Sequence, residues 1–165
     1  MKECKVYLES EIGLVEIEGG EGGISSVRFV EEGAKDSAVG PSGAARVVID
    51  CARQLDEYFR GERQDFALKL RPAGTAFQQR VWQQVATIPY GQTVSYLEVA
   101  QMIGDAQAVR AVGAANGQNP MAIIIPCHRV VGSDGSLTGY GGGLWRKAWL
   151  LNHERRFSSG QLALF

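Results

Sequence analysis

The chain has 165 residues, 45% of them hydrophobic, and its 17 Lys and Arg nearly balance its 18 Asp and Glu. This length and composition predict a folded protein with one large or two small domains. No apolar stretch approaches the roughly 18 residues that a membrane-spanning helix needs, and the charged start of the chain does not read as a signal peptide. We therefore expect a cytoplasmic protein with no membrane partner.

Cysteine and histidine usage argues against a metal site. The three cysteines, Cys4, Cys51 and Cys127, are an odd number, and none lies in a CxxC pair. Neither a disulfide framework nor a zinc site is indicated, and two histidines supply few further ligands. Cys51 lies on the apolar face of a predicted helix and is expected in the core. We expect no metal and no cofactor.

Charge is unevenly distributed along the chain. Residues 74–165 contain seven Lys and Arg against four Asp and Glu, a net +3, whereas residues 1–73 contain ten against fourteen, a net −4. The positive half is compatible with a polyanionic partner, and an ordinary fluctuation of surface charge explains it equally well.

The first 73 residues predict a small α+β domain. Segments 4–8, 12–18 and 24–30 are short, rich in β-branched residues and separated by polar or glycine-rich turns, which indicates a three-stranded antiparallel meander. After a polar span, 31–43, apolar residues recur at helical spacing from Val47 to Phe59. A linker ending at Gly74 separates this domain from a second one, 74–157, and residues 158–165 form a tail.

The second domain is predicted to be helical. Its first helix begins near Thr75 and includes Trp82. Ser95 and Glu98 form a capping box, so a helix should run over 96–103, and a second helix, 106–116, follows at helix-turn-helix spacing. The second helix consists of small residues with one charge, Arg110. Close packing in a core explains such a helix, and so does entry into a narrow minor groove, where Arg110 would replace a base.

A possible nucleophile follows an apolar run of five residues. The run 121–125 reads as a buried strand, and Pro126 then fixes the backbone before Cys127, His128 and Arg129. In the last helix one face is formed by residues at steps of four, three and three, namely Leu144, Ala148, Leu151 and Glu154. On this apolar face Glu154 needs a hydrogen-bonding partner, and His128 is the natural candidate. These three types supply a thiol, a base and an orienting carboxylate, although a buried structural cysteine remains the alternative.

A glycine-rich loop, 137–143, follows the Cys-His-Arg triplet. It lacks a Walker lysine and a GxGxxG pattern, so phosphate binding is not indicated. Its glycines instead allow backbone N–H groups to approach a ligand closely.

Several of these motifs together resemble the O6-alkylguanine-DNA alkyltransferases. The resemblance is carried, in this order, by the stretches Arg110-Ala-Val-Gly113, Asn119-Pro120, Ile125-Pro-Cys-His-Arg-Val-Val131, Gly139-Tyr-Gly-Gly142 and Leu150-Leu-Asn-His-Glu154. It covers about residues 75–154 and implies a ribonuclease-H-like N-terminal domain followed by a helix-turn-helix, winged-helix-like, active-site domain. It also implies a single-turnover methyltransferase that repairs DNA by moving the alkyl group of O6-alkylguanine onto Cys127.

The resemblance also implies roles for particular residues. His128 takes the thiol proton through a water, Glu154 holds the imidazole, Arg129 supports the site, and Asn119 is a hinge. The base pocket is implied to contain Tyr96, Val130, Tyr140 and Gly141. The DNA-binding helix is implied to use Arg110, Ala111 and Gly113. The partner is double-stranded DNA carrying O6-alkylguanine, with O4-alkylthymine as a second candidate, and the protein is expected to be a monomer.

Two other functions compete with this one. Alkyltransferase-like proteins that bind lesions without repairing them carry tryptophan in place of the cysteine, so Cys127 argues against that group. A winged-helix regulator would need base-reading side chains that the 106–116 helix lacks. The family usually has proline at the start of this helix, where this chain has Ala106, and the helix end is expected to be looser for that reason.

Overall fold

The computed structural model describes residues 3–37 and 45–158. The second part of the predicted polar span and all but the first residue of the predicted tail lie outside these ranges. The chain divides into two compact units, Met1–Ala73 with Pro120–Ala122, and Gly74–Asn119 with Ile123–Phe165. Three residues of the predicted second domain, 120–122, thus belong to the first unit. No helix among the described residues is long and apolar enough to cross a membrane.

The first unit is a sheet covered by one helix. Strands β1 (Cys4–Ser10), β2 (Gly13–Gly20) and β3 (Gly23–Val30) pair antiparallel in sequence order, which confirms the predicted meander. A 3-10 helix (Glu32–Ser37) follows, and then helix α1 (Ala45–Phe59), whose apolar face packs on the sheet. The core residues from α1 recur every three or four positions: Val48, Cys51, Leu55 and Tyr58. Cys51 is a core residue, as expected.

The outer edge of β3 is covered by other parts of the same unit. Ile24 exchanges backbone hydrogen bonds with Lys69 and Arg71, and Val27 does so with Pro120 and Ala122. These pairings satisfy edge N–H and C=O groups that would otherwise be open to strand addition.

The second unit is mainly helical. Its elements are α2 (Ala76–Val85), β4 (Val94–Ser95), α3 (Tyr96–Met102), α4 (Val109–Gly117), a 3-10 helix (Cys127–Arg129), β5 (Val130–Val131) and α5 (Leu144–Ser158). The capping boxes of α2 and α3 are both formed, with Thr75 and Ser95 as caps. Strands β4 and β5 pair in parallel and bring Ser95 opposite Val131.

One predicted helix start and one predicted strand were wrong. Helix α4 begins at Val109 rather than at residue 106, because Asp105 accepts a hydrogen bond from Gln107 N in a turn and Ala108, at the cap position, offers no side-chain acceptor. Residues 122–125 form turns rather than a strand, and Ile123 has a φ of 72°. A β-branched residue seldom adopts this left-handed conformation, so the buried run reverses direction where an extended strand was expected.

Candidate active site

Cys127 opens the 3-10 helix that follows Pro126. Its N–H donates to Ile125 O at 2.7 Å, and Arg129 N donates to Pro126 O at 2.9 Å, so tight turns fix the backbone on both sides. The residue is buried, with 7% of its surface exposed. The predicted strand exit is therefore replaced by a helical turn, and the position of the thiol is still set by backbone geometry.

Glu154 joins His128 and Arg129 in a buried cluster. Its Oε2 lies 2.6 Å from His128 Nε2, and Arg129 donates from Nε and Nη2 to the two carboxylate oxygens at 2.7 and 3.0 Å. Gly91 N adds a donor at 3.2 Å, and Arg129 Nη1 binds Ile88 O at 2.6 Å. The expected hydrogen bond between His128 and Glu154 is present. Such a network orients the imidazole ring through several contacts at once.

The protonation states of this cluster follow from burial and charge. Burial raises the pKa of the Glu154 carboxyl, but the charges and hydrogen bonds of His128 and Arg129 outweigh it and hold that pKa well below its usual range. Burial lowers the pKa of His128, and the positive charges of Arg129 and Lys147 lower it further. The negative charge and hydrogen bond of Glu154 raise this pKa, but the net shift is downward. At neutral pH His128 is then neutral, donates from Nε2 to the carboxylate, and presents an unprotonated Nδ1.

The nitrogen His128 Nδ1 is buried and, among the described residues, has no hydrogen-bond partner. It belongs to the residue directly after Cys127. A basic nitrogen on the residue next to a thiol can remove the thiol proton, directly or through one water.

The thiol itself is protonated at rest. Burial raises the pKa of Cys127, while a hydrogen bond from the Asn119 side chain, the positive charge of Lys147 and backbone N–H groups oppose that rise. Asn119 also donates to Ile125 O at 2.7 Å and so braces the turn before the cysteine. Because the net shift is upward, thiolate formation depends on a base and on these stabilising groups.

Lys147 is a site residue that the sequence did not reveal. It is fully buried, and its Nζ donates to Thr138 O at 2.7 Å and contacts Tyr96 Oη at 3.4 Å and Gly139 O at 3.5 Å. The ammonium group thus ties α5 to the glycine-rich loop and to α3. Lys147 lies three residues after Leu144 and four residues before Leu151, on the predicted apolar face of the helix. This position was the sequence signal that its side chain is buried. Leu144, placed on that face by the sequence, is instead 47% exposed.

The loop and α3 supply two tyrosines to the same region. Tyr96 Oη donates to Thr138 O at 2.9 Å. The hydroxyl of Tyr140 is buried without a partner among the described residues, and burial, with the nearby Cys127, raises its pKa well above the usual value. Gly141 is exposed next to it, and Val130 is buried in β5. Tyr96 therefore contacts the loop that carries Tyr140 and Gly141.

The three residues named for DNA binding lie on α4. Arg110 and Ala111 are exposed, and Gly113 is partly exposed. A Cβ added at Gly113 would come no closer than 3.9 Å to Tyr96, which is ordinary contact. Packing within the protein therefore does not require glycine there, although glycine in a helix is unfavourable by about 1 kcal/mol relative to alanine.

Among the described residues, no group of three or more His, Cys, Asp or Glu side chains is arranged to hold a metal ion.

Comparison with known families gives matches along nearly the whole chain. Residues 4–72 match the ribonuclease-like domain of 6-O-methylguanine DNA methyltransferase, and residues 76–156 match its DNA binding domain. The chain belongs to the 6-O-methylguanine DNA methyltransferase family. This assignment confirms the resemblance inferred from the sequence and the predicted α+β fold.

Individual relatives support the family assignment. A methylated-DNA--protein-cysteine methyltransferase of Mycolicibacterium paratuberculosis is 47% identical over 158 residues, which is 96% of each chain. The crystal structure of Mycobacterium tuberculosis O6-methylguanine methyltransferase superposes with a TM-score of 0.85 at 42% identity, covering 99% of both chains. The Mycobacterium tuberculosis protein OGT, solved in complex with DNA, gives a TM-score of 0.80 at 45% identity and covers 92% of both chains.

Proposed function

We propose that this member of the methyltransferase family repairs DNA by transferring the alkyl group of O6-alkylguanine to Cys127 in a single turnover. The observation that carries the proposal is the buried His128 ring on the residue after Cys127, which Glu154 holds at 2.6 Å and whose second nitrogen, Nδ1, has no hydrogen-bond partner among the described residues. Family membership supports the class of reaction, and this geometry supports the choice of residues.

The transfer is a displacement at the alkyl carbon. His128 Nδ1 removes the thiol proton, through a water as the family pattern implies, and Cys127 Sγ attacks the carbon. A sulfur–carbon bond forms while the carbon–O6 bond breaks, and the electron pair of that bond stays on the guanine. The proton held at His128 balances the charge of the released guaninate. Because the thioether is stable, the protein is consumed.

Four residues are assigned to stabilising the leaving guaninate and holding the base. The Tyr96 hydroxyl would donate to N3 and the backbone N–H of Gly141 to O6, where negative charge develops in the transition state. Tyr140 and Val130 would line the pocket. To donate to the base, Tyr96 would exchange its present bond to Thr138 O.

Duplex DNA is the proposed partner, and α4 is the proposed contact. Arg110 would fill the space left by the flipped base, and the small outer residues Ala111 and Gly113 would permit close approach to the minor groove. Asn119 serves as the hinge and Arg129 as support. O4-alkylthymine as a second substrate, the monomeric state and the cytoplasmic location stay predictions.

Mass spectrometry tests the proposal directly. The protein is incubated with an excess of duplex containing O6-methylguanine, and the intact mass and peptide masses are measured. We expect a gain of one methyl group on the Cys127 peptide. Cys127→Ser should show no gain, and the matched variant Cys51→Ser should behave like the wild type, since burial raises the pKa of Cys51 to about 12. A methyl group found on Cys51, or no gain at all, would refute the assignment.

A further inference from the structure

Val27, in the outer strand of the sheet, pairs with the segment that leads toward the nucleophile. Its N–H donates to Pro120 O and its C=O accepts from Ala122 N, both at 2.9 Å, and Met121, opposite Val27, is buried. The N–H and C=O of one strand residue point to the same side, so both groups of Val27 face away from β2. The pairing therefore fixes residues 120–122 without using any bond of the β2–β3 ladder.

Ile123 follows the paired segment directly and has a strained backbone. Its φ is 72°, and among the described residues it is the only non-glycine residue with a positive φ. A left-handed conformation is unfavourable for a β-branched residue, because the side chain crowds the backbone. Such a conformation persists only where surrounding contacts hold it in place.

Contacts on both sides of Ile123 provide that hold. The Val27 pairing lies before it in the chain, and after it Ile125 O accepts from the Asn119 side chain and from Cys127 N, each at 2.7 Å. The Ile123 side chain is itself buried. A change of φ at this residue would redirect the chain that enters the nucleophile turn.

We propose that Val27 is a positioning residue for the nucleophile. Its pairing with residues 120–122 holds Ile123 in the left-handed conformation, and this places Cys127 within reach of the Asn119 side chain. The inference rests on the proposed function and gives the sheet of the first unit a part in the transfer reaction. Without the pairing, Ile123 relaxes toward a negative φ, and the hydrogen bond from Asn119 to the thiol weakens.

The acidity of the thiol reports this positioning. Burial raises the pKa of Cys127, and the hydrogen bond from Asn119 is the largest influence that opposes the rise. A weaker bond raises the pKa further, so the transfer rate should reach half of its maximum at a higher pH. The other titratable groups near the thiol, His128, Lys147 and Tyr140, are the same in every variant compared below.

Two proline variants of the same strand test the proposal. Val27→Pro removes the N–H that binds Pro120 O, and proline is tolerated at a sheet edge. Ile24→Pro is the matched control, because Ile24 is also buried and β-branched and its N–H donates to Lys69 O along the same edge. The rate of benzyl transfer from free O6-benzylguanine is measured against pH, together with the fraction of protein alkylated and the thermal unfolding.

We expect both proline variants to lose comparable thermal stability. Only Val27→Pro should react about 10- to 100-fold more slowly at pH 7, the effect of a small displacement of a reacting group, with its pH profile shifted upward. A loss of stability alone would lower the alkylated fraction and leave the midpoint of the profile in place.

Ile123→Gly tests whether the strained residue carries the effect. Glycine adopts a positive φ readily, so in the Val27→Pro background it should restore part of the rate. On its own it should lower stability, since a buried side chain is lost, with little change in rate. A double variant no faster than Val27→Pro would overturn the proposal.

The remaining outcomes are also decisive. Equal shifts of the pH profile in Val27→Pro and Ile24→Pro, or a wild-type profile in Val27→Pro, would overturn the proposal. If Val27→Pro does not fold, Ala122→Pro removes the other bond of the pairing, and Arg71→Pro, which removes the N–H bound to Ile24 O, is its control. Absence of benzyl transfer to Cys127 in the wild type would instead refute the proposed function.

Discussion

Glu154 receives hydrogen bonds from His128, Arg129 and Gly91 through both of its carboxylate oxygens. Replacing it with glutamine keeps the shape and removes the charge. Arg129 is then buried without its counter-ion, which we expect to destabilise the fold by about 3 kcal/mol or more. The imidazole also loses the anion that fixes its tautomer, and the transfer rate should fall on the order of 100-fold.

The measurement for Glu154→Gln is the rate of transfer against pH, on duplex DNA and on free O6-benzylguanine. Both rates should fall, because proton removal from the thiol precedes reaction with either substrate. Glu16→Gln is the matched control, since Glu16 is likewise buried and bonded to an arginine, Arg28, but lies in the first unit. A Glu154→Gln protein that reacts with the free base like wild type would remove Glu154 from the proton relay.

His128 should make stability depend on pH. Burial lowers its pKa in the folded protein below the ordinary value of about 6.5. Below that value the unfolded chain binds a proton that the folded imidazole does not, so the free energy of unfolding decreases as pH falls from 7 to 5. The slope contributed by one histidine is at most about 1.4 kcal/mol per pH unit. Glu154, whose folded pKa is also lowered, adds its own loss only below about pH 4.5.

Denaturant unfolding at several pH values measures this slope. His128→Asn should flatten it between pH 7 and 5. His153→Asn removes the other histidine of the chain and serves as the control, so a flattened slope in that variant alone would reassign the titration.

Helix α4 carries a glycine that its own packing does not need. Gly113→Ala places a Cβ in ordinary contact with Tyr96 and should raise the free energy of unfolding by roughly 0.5 to 1 kcal/mol. If the helix enters a groove, the same methyl group should weaken duplex binding and slow repair. Thermal unfolding and binding are measured together, with Gly33→Ala in the first unit as a control for affinity. A more stable variant with unchanged DNA affinity would place Gly113 outside the interface.

Arg110 is exposed on the same helix and is assigned to holding the duplex open. Arg110→Ala should therefore slow repair of duplex DNA far more than reaction with free O6-benzylguanine, which needs no flipping. Arg156→Ala, at an exposed position of α5, provides a comparison with equal loss of charge. Equal losses of Arg110→Ala on both substrates would contradict the proposed role.

At the level of elements, the sequence was most informative where local chemistry decides the structure. Helix α3 follows from its capping box, and the first three strands follow from alternation and turns. The run 121–125 was misjudged because apolar composition reports burial and not backbone direction. Ile123 takes a left-handed conformation that no local pattern signals.

Within the site, the hydrogen bond of His128 to Glu154 was expected because a carboxylate on an apolar helix face requires a partner. The roles of Asn116 and Lys147 were not expected. Asn116 binds the Cys127 carbonyl and Lys147 binds the Thr138 carbonyl, and both acceptors are backbone atoms of other segments. Backbone acceptors have no signature in the identity of a residue, so only the fold reveals these contacts.

For the whole molecule, burial limits how many positive charges can contact DNA. Residues 74–165 carry seven Lys and Arg, but Arg129 is 6% exposed and Lys147 is fully buried. Both are used inside the site. The remaining five arginines are Arg80, Arg110, Arg146, Arg155 and Arg156. The first unit carries a net negative charge and is not expected to add favourable phosphate contacts.

This count predicts a shallow dependence of DNA affinity on salt. Each neutralised phosphate contributes about −0.9 to the slope of log K against log salt concentration, so five contacts give a slope no steeper than about −4.5. Binding of the Cys127→Ser protein to an undamaged duplex, measured from low to moderate salt, isolates this slope from the transfer reaction. Replacing Arg155 and Arg156 with glutamine tests whether α5 contacts phosphates. If both arginines do, the magnitude of the slope should fall by about 2. A wild-type slope near −7 would require phosphate contacts from the first unit and would contradict an interface restricted to the second.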